Sequence, residues 1–231
     1  MLIFNYKTDQ GFLNSTAALS LTKNMMQKIL LMVGLVLLTL GWAEAQVPNT
    51  QEETHITNPI VIIKTPLGTI VLELYPKQAP ITVNNFERYI RESRFKGASF
   101  YRTVRLDNQA HNKVKIEVIQ GGLFVDNHPA MLPPIPLETT AMTGLHHLDG
   151  SLSMARDKPN SASSEFFICI GDQPSLDYKG KRNPDGQGFA VFGRVIRGMK
   201  VVRKIQQQPA VGQMLNPHIP IEEITLQDSL L

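Results

Sequence analysis

The side chains most often found doing chemistry are concentrated between residues 146 and 151. His146-His147-Leu148-Asp149, with Ser151 close behind, supplies a base, a carboxylate and a hydroxyl. Adjacent histidines on a turn do not converge, and no nucleophile-elbow motif surrounds Ser151, so the segment does not describe a hydrolase triad. His111 and His128 stand at no ligand spacing from this cluster, and no metal is expected. Cys169, the single cysteine, lies between Ile168 and Ile170 and has the setting of a buried core thiol. One cysteine also excludes an intramolecular disulfide and a Cys-cluster zinc site. The glycine spacings match no phosphate-binding loop.

A second set of residues is spread along the chain in a definite order. Phe100-Tyr101-Arg102 begins or ends a strand, and Ile119-Gln120-Gly121-Gly122 ends another. Ser153-Met154-Ala155-Arg156 is followed by Pro159-Asn160-Ser161-Ala162-Ser163-Ser164-Glu165-Phe166-Phe167-Ile168. Gly188-Phe189-Ala190-Val191-Phe192-Gly193-Arg194-Val195 and Gly198-Met199 come later. This ordered set resembles the cyclophilin family of peptidyl-prolyl cis/trans isomerases, over residues 59–228. The resemblance implies that Arg102 is the catalytic arginine and that Gln120 holds it and contacts the substrate backbone. It implies that Phe167 floors a proline pocket lined by Val118 and Leu176. It also places Ala155, Arg156, Glu165 and Phe189 among the substrate-binding positions, the first two acting through main-chain groups.

Such a reaction needs few reactive groups. Resonance gives the peptide C–N bond a rotation barrier of about 18–20 kcal/mol. X–Pro bonds populate both isomers and interconvert over tens of seconds or longer. No bond is made or broken, so no nucleophile, metal, cofactor or acid–base pair is required. What accelerates rotation is any contact stronger in the twisted state than in the planar one. In the twisted state nitrogen regains its lone pair, and a guanidinium, always charged and rigid, can donate to it. An apolar pocket would hold the proline ring while the preceding carbonyl swings. The expected partners are proline-containing polypeptides. A non-catalytic proline-peptide-binding module or chaperone is the rival from another class, and an unrelated small-ligand-binding barrel is a more distant one.

Four departures from the family pattern bear on specificity. A polar stretch around Arg105 to Lys115 lengthens the segment between Arg102 and Gln120, and aligns Glu117 with a position that is often aromatic. Arg156 stands in place of a frequent Asn, and Glu165 in place of a frequent Gln. Their opposite charges suggest that they pair with one another. Ser175 stands where many members carry Trp, so cyclosporin binding is expected to be weak or absent.

The elements that must position these residues follow from the hydrophobic pattern. The 231 residues are 42% hydrophobic and 19% charged, enough for a packed core. The formal charge of +3 is scattered, with no basic stripe, so nucleic acid is not an expected partner. Ile60–Lys64 and Thr69–Leu74, separated by Pro66-Leu67-Gly68, form a hairpin. Further strands are expected at Ser99–Val104, Val114–Ile119, Gly150–Ala155, Glu165–Ile170, Phe189–Val195 and Ile219–Gln227. Helical spacing marks Thr82–Glu92, with Thr82 as N-cap because Pro80 bars helix before it, and Met199–Gln208, stopped by Pro209. The fold class is therefore mainly β: a closed eight-stranded antiparallel barrel capped by two short helices. Upstream, Lys28, the apolar run Ile29 to Leu40 and the small residues Ala43 and Ala45 form a secretory signal peptide. The run is shorter than the roughly 20 residues that span a bilayer, so membrane contact is limited to this transient segment. Residues 1–45 are thus a leader, with Met25 or Met26 the better start and cleavage after Ala45. Residues 46–58 are a polar linker, and 59–231 form the isomerase domain, in the periplasm or secreted.

Overall fold

The computed structural model describes residues 58–227. The expected signal peptide, the cleavage expected after Ala45 and the expected linker up to residue 57 lie outside the described residues. Among the described residues ten strands form one antiparallel sheet: β1 (Ile60–Thr65), β2 (Gly68–Leu74), β3 (Ser99–Val104), β4 (Val118–Gly122), β5 (Ser151–Met154), β6 (Phe166–Cys169), β7 (Ala190–Arg197), β8 (Ala210–Val211), β9 (Met214–Pro220) and β10 (Glu223–Gln227). Their spatial order is β10-β1-β2-β7-β5-β6-β4-β3-β9-β8, which is linear with β10 and β8 at its edges. The expected eight strands become ten for two local reasons. The final strand begins earlier, at Met214, and is interrupted at Ile221-Glu222, while Ala210–Val211 turns back as a short hairpin against Met214 and Leu215.

Among the described residues three α-helices accompany the sheet: α1 (Pro80–Arg91), α2 (Thr140–Thr143) and α3 (Met199–Gln206). The start of α1 corrects the sequence expectation. Pro80 does not bar the helix but opens it, at a position where its missing N–H would have had no helical partner. Thr82 is not the N-cap. Glu138, distant in sequence, accepts hydrogen bonds from the Ile81 N–H (3.1 Å), the Thr82 N–H (2.8 Å) and the Thr82 hydroxyl (2.6 Å). A carboxylate there satisfies free helix N–H groups and complements the positive end of the helix dipole. α3 ends at Gln206, before the predicted Gln208, and buries Val202 and Ile205. The four-residue α2 carries no apolar repeat that sequence periodicity could detect.

The main core is apolar and continuous. Phe166 of β6 lies among Phe86 and Phe95, with Phe100 of β3 and Phe192 of β7 in the same cluster. Most side chains of opposite parity on β4, β5 and β6 point to the other face of the sheet, as the two-residue strand period requires. That outer face carries a smaller apolar cluster of Val104, Ile116, Val118, Phe167, Cys169 and Leu176. Cys169 is fully buried there, which raises its thiol pKa and bears out its reading as an inert core thiol.

Candidate active site

The site is a row of residues on the outer face, assembled by strand register. Arg102 of β3 is opposite Gln120 of β4, Gln120 is opposite Phe167 of β6, and Phe167 is opposite Ser153 of β5. A register shift between Phe100 and Arg102 is what brings Arg102 into the row. Phe100 points into the main core, yet Tyr101 and Arg102 both line the outer cavity, so one bulge residue resets the alternation. Simple alternation from Phe100 would have turned Arg102 inward.

Arg102 is held from two sides. Its Nη1 donates to Gln120 Oε1 at 2.8 Å. Its Nε and Nη2 donate to Gln213 Oε1, at 3.0 and 2.6 Å. Three of the five guanidinium hydrogens are thereby committed, leaving two for the cavity. Burial holds its pKa below the ordinary arginine value, although Tyr101 acts in the opposite sense. Gln213, between β8 and β9, was not found by sequence reasoning; it is 111 residues from its partner and belongs to no recognisable motif.

A chain of hydrogen bonds fixes the Gln120 amide. Tyr101 donates its hydroxyl to Glu165 Oε2 at 2.5 Å and accepts from Gln120 Nε2 at 2.5 Å. A carboxylate only accepts, so the single phenolic proton goes to Glu165 and Gln120 must donate. That orientation turns Gln120 Oε1 toward Arg102. Burial, followed by the charge and hydrogen bond of Glu165, raises the Tyr101 pKa well above its ordinary value. Glu165 Oε1 also accepts from the N–H groups of Leu123 and Phe124 and from the Ser164 hydroxyl, at 2.8–3.2 Å.

This arrangement corrects the expected Glu165–Arg156 pair. Arg156 instead makes a two-pronged ion pair with Asp185, at 2.7 and 2.9 Å, and donates to the Gly188 carbonyl at 2.8 Å. Its guanidinium lies 5.1 Å from the centre of the Phe189 ring. The two charges are satisfied separately: Arg156 reaches Asp185 and Gly188, and Glu165 reaches Tyr101 of β3 and the segment after β4. The adjacent glycines also gain a definite role. A side chain on Gly122, where φ is +145°, would meet the Glu165 carboxylate at 2.5–2.7 Å, and one on Gly121 would meet the Phe100 ring at 2.9 Å. They make room for neighbouring side chains.

The pocket floor is Phe167, with Ile116, Val118, Leu176 and Phe189 around it in a cavity of about 400 Å³. The cavity also includes Tyr101, Arg102, Gln120, Ala155, Arg156 and Glu165, so every residue assigned to the site from the sequence lines one space. Glu117, aligned with a frequent aromatic, does not line it. Its carboxylate accepts from Gln206 of α3, and Ile116 lines the pocket beside Val118. The Ala155 N–H is already donated to the Glu165 carbonyl at 2.8 Å, which leaves the Ala155 carbonyl for a ligand.

Beneath Phe167 lies His147 of the 146–151 segment. His147 stacks on the Phe167 ring at 5.9 Å, places Nδ1 2.6 Å from Asp177 and Nε2 3.0 Å from Ser153 Oγ. Ser153 has no solvent exposure, so this serine–histidine–aspartate row supports the floor and offers no accessible nucleophile. Ser151 bonds to the main chain at His146 and Leu148. Among the described residues no group of histidine, cysteine or carboxylate side chains is arranged to hold a metal.

The family model for cyclophilin-type peptidyl-prolyl cis-trans isomerases matches residues 60–226. The chain belongs to the cyclophilin family. It is 34% identical over 172 residues to a peptidyl-prolyl cis-trans isomerase of Acinetobacter baylyi, covering 74% of this chain and 84% of the relative. It is 32% identical to cyp18 of Streptomyces antibioticus, covering 73% and 96% of the two chains. A crystal structure of a Cryptosporidium parvum cyclophilin covers 75% of this chain and 99% of its own, with a TM-score of 0.58 and 22% identity, and shows the same fold. This cyclophilin therefore is a peptidyl-prolyl isomerase, and the Arg102–Gln120–Phe167 row sits on its outer surface.

Proposed function

We propose that the cavity takes the proline ring of an X–Pro segment onto Phe167 while Arg102 donates one of its two remaining N–H groups to the twisting peptide nitrogen. The donation grows as the lone pair is restored, so it favours the twisted state over both planar isomers. Gln120 and Gln213 keep the guanidinium from following the substrate. The Tyr101–Glu165 pair keeps the Gln120 amide turned the right way. The carrying observation is the double clamp on a partly buried arginine at the edge of an apolar pocket. A cyclophilin from Cryptosporidium parvum has been crystallised in the presence of the dipeptide Ala-Pro, which supports proline peptides as the ligands here. The decisive experiment is a proline-isomerisation assay of the purified protein beside its Arg102→Ala variant. Rates at background for both would favour a binding module, and an unaltered rate in the variant would remove Arg102 from this role.

Further features belong to the same reading. The sheet acts as a closed barrel, because β9 and β10 are consecutive across Ile221-Glu222 and pair with β3 and β1 respectively. The Ile221 N–H donates to Ala98 and the Glu222 N–H to Lys64, so the bend bridges the two sides. The clients are exported proteins, and the enzyme acts in the periplasm or outside the cell after cleavage following Ala45. The mass of the exported form, expected to begin at Gln46, checks this. Cyclosporin binds weakly or not at all, since Ser175 offers no ring; a submicromolar Kd would overturn that.

A further inference from the structure

Two long connections meet beside the proline pocket, one between β3 and β4 and one between Asp177 and Phe189. Arg182 joins them. Its backbone N–H donates to the Ser175 carbonyl at 3.0 Å. Its Nη1 donates to Gln109 Oε1 at 3.1 Å and to the Val114 carbonyl at 2.6 Å. Gln109 in turn brackets Ile116 through two backbone hydrogen bonds, and Ile116 is a pocket wall. Arg182 is thus built into the pocket rim at the proline end.

Its charge is not compensated there. Both Arg182 and Arg102 line the cavity, and among the described residues neither makes an ion pair with a carboxylate. The Nε and Nη2 groups of Arg182 have no protein acceptor among the described residues. Burial and the neighbouring Arg102 both push the Arg182 pKa down, as expected of two facing cations. The carboxylates that line the cavity, Asp126, Asp157 and Glu165, come from the segments after β4 and before β6. Glu165 is already taken up by Tyr101 and backbone N–H groups. The cavity therefore presents two guanidinium groups without a carboxylate partner, Arg102 and Arg182, while the third, Arg156, is paired with Asp185.

Resting on the isomerase reading above, we infer that Arg182 is a specificity-determining residue, which selects X–Pro segments carrying a carboxylate beside the proline. A planar guanidinium with free donors recognises aspartate or glutamate side chains in paired hydrogen bonds, and repels lysine. Clients with acidic residues flanking proline are the class it fits.

The test compares four peptides that share a proline and differ only in Glu or Lys before or after it, using the full-length protein. At low salt, kcat/KM for Glu over Lys at one flank should be about tenfold, falling toward unity in high salt as surface charges are screened. In Arg182→Gln that ratio should fall to within about twofold, and Arg182→Lys should keep most of it. A purely structural tether would alter rates without a salt-dependent Glu/Lys ratio. Equal rates for all four peptides, a preference for Lys, or an unchanged ratio in Arg182→Gln would overturn the inference. If no peptide is isomerised, the isomerase reading fails, and the same ratio taken from peptide Kd values decides the Arg182 inference independently.

Discussion

Phe166 and Phe167 are neighbours on one strand, but they belong to regions built on different principles. Phe166 is enclosed by Phe86, Phe95 and Phe100 at ring distances of 5.4–5.9 Å, with no polar group to satisfy. Phe167 rests on His147 and meets Phe189 edge-on, and the apolar cluster around it is bordered by a hydrogen-bonded network of buried polar side chains. The interior needs only volume and shape, so many apolar sets could fill it. The outer cluster has to present a flat ring and a fixed guanidinium to a ligand. It therefore needs His147, Asp177, Tyr101, Glu165, Gln120 and Gln213 in fixed hydrogen-bonded relations. Polar chains of this kind add less to stability than to position, because each bond replaces one to water.

The sharpest test of this division is at the end of the outer row. Arg102→Ala should lower kcat/KM about 10²- to 10³-fold, the scale for removing one donor matched to a developing charge. Its urea midpoint should stay near the parent value; a large loss of stability would mean that Arg102 also holds the fold. Next, Phe166→Ala should cost about 3–5 kcal/mol in urea unfolding, as for an enclosed ring. Phe167→Ala should cost less, roughly 0.5–3 kcal/mol, while abolishing most of the activity. Equal stability losses for the two would erase the contrast.

Tyr101→Phe probes the polar chain alone. It leaves the Gln120 amide and the Glu165 carboxylate short of one partner each, a penalty of about 1–3 kcal/mol for a buried group. We expect kcat/KM to fall about five- to tenfold by release of the Gln120 orientation. Glu165→Gln should do less, since a Gln oxygen can still accept from Tyr101. A rise in activity in that variant would show that the carboxylate restrains Arg102.

The smallest effect is in pH dependence. Burial lowers the His147 pKa beneath the ordinary value of 6.5, although Asp177 opposes it. The unfolded chain then binds a proton that the folded chain resists, so stability is full above 6.5 and declines as pH falls toward the folded value. Burial acts to raise the Asp177 pKa, but bonds from His147 and His146 outweigh it and the net shift is downward. That adds a second loss of stability below 3.8. His147→Gln should flatten the first decline and leave the second weakened but present. An unchanged slope near neutral pH would show that another group carries it.

Much of the site is legible in the sequence, and the limits of that legibility have a common cause. Arg102, Gln120 and Phe167 stand in short motifs whose order identifies the family, and strand alternation separates Phe166 from Phe167. The helix start at Pro80 is not marked locally, because the carboxylate that caps it, Glu138, comes from more than fifty residues away. Arg156 and Glu165 suggest a pair by their opposite charges, yet Arg156 pairs with Asp185 and Glu165 accepts from Tyr101 of β3 and from the segment after β4. Ile116 displaced Glu117 from the pocket because strand parity across a lengthened loop depends on where pairing resumes.

By itself the sequence determined the residue types of the reaction and the two-faced strands. These follow from local order and from the two-residue strand period. Only the tertiary structure decided that Arg102 points outward, that Gln213 clamps it, that Glu165 acts through Tyr101 and that Arg182 joins it in the cavity. Each of these rests on a bulge or a long-range contact, and local sequence carries no record of either.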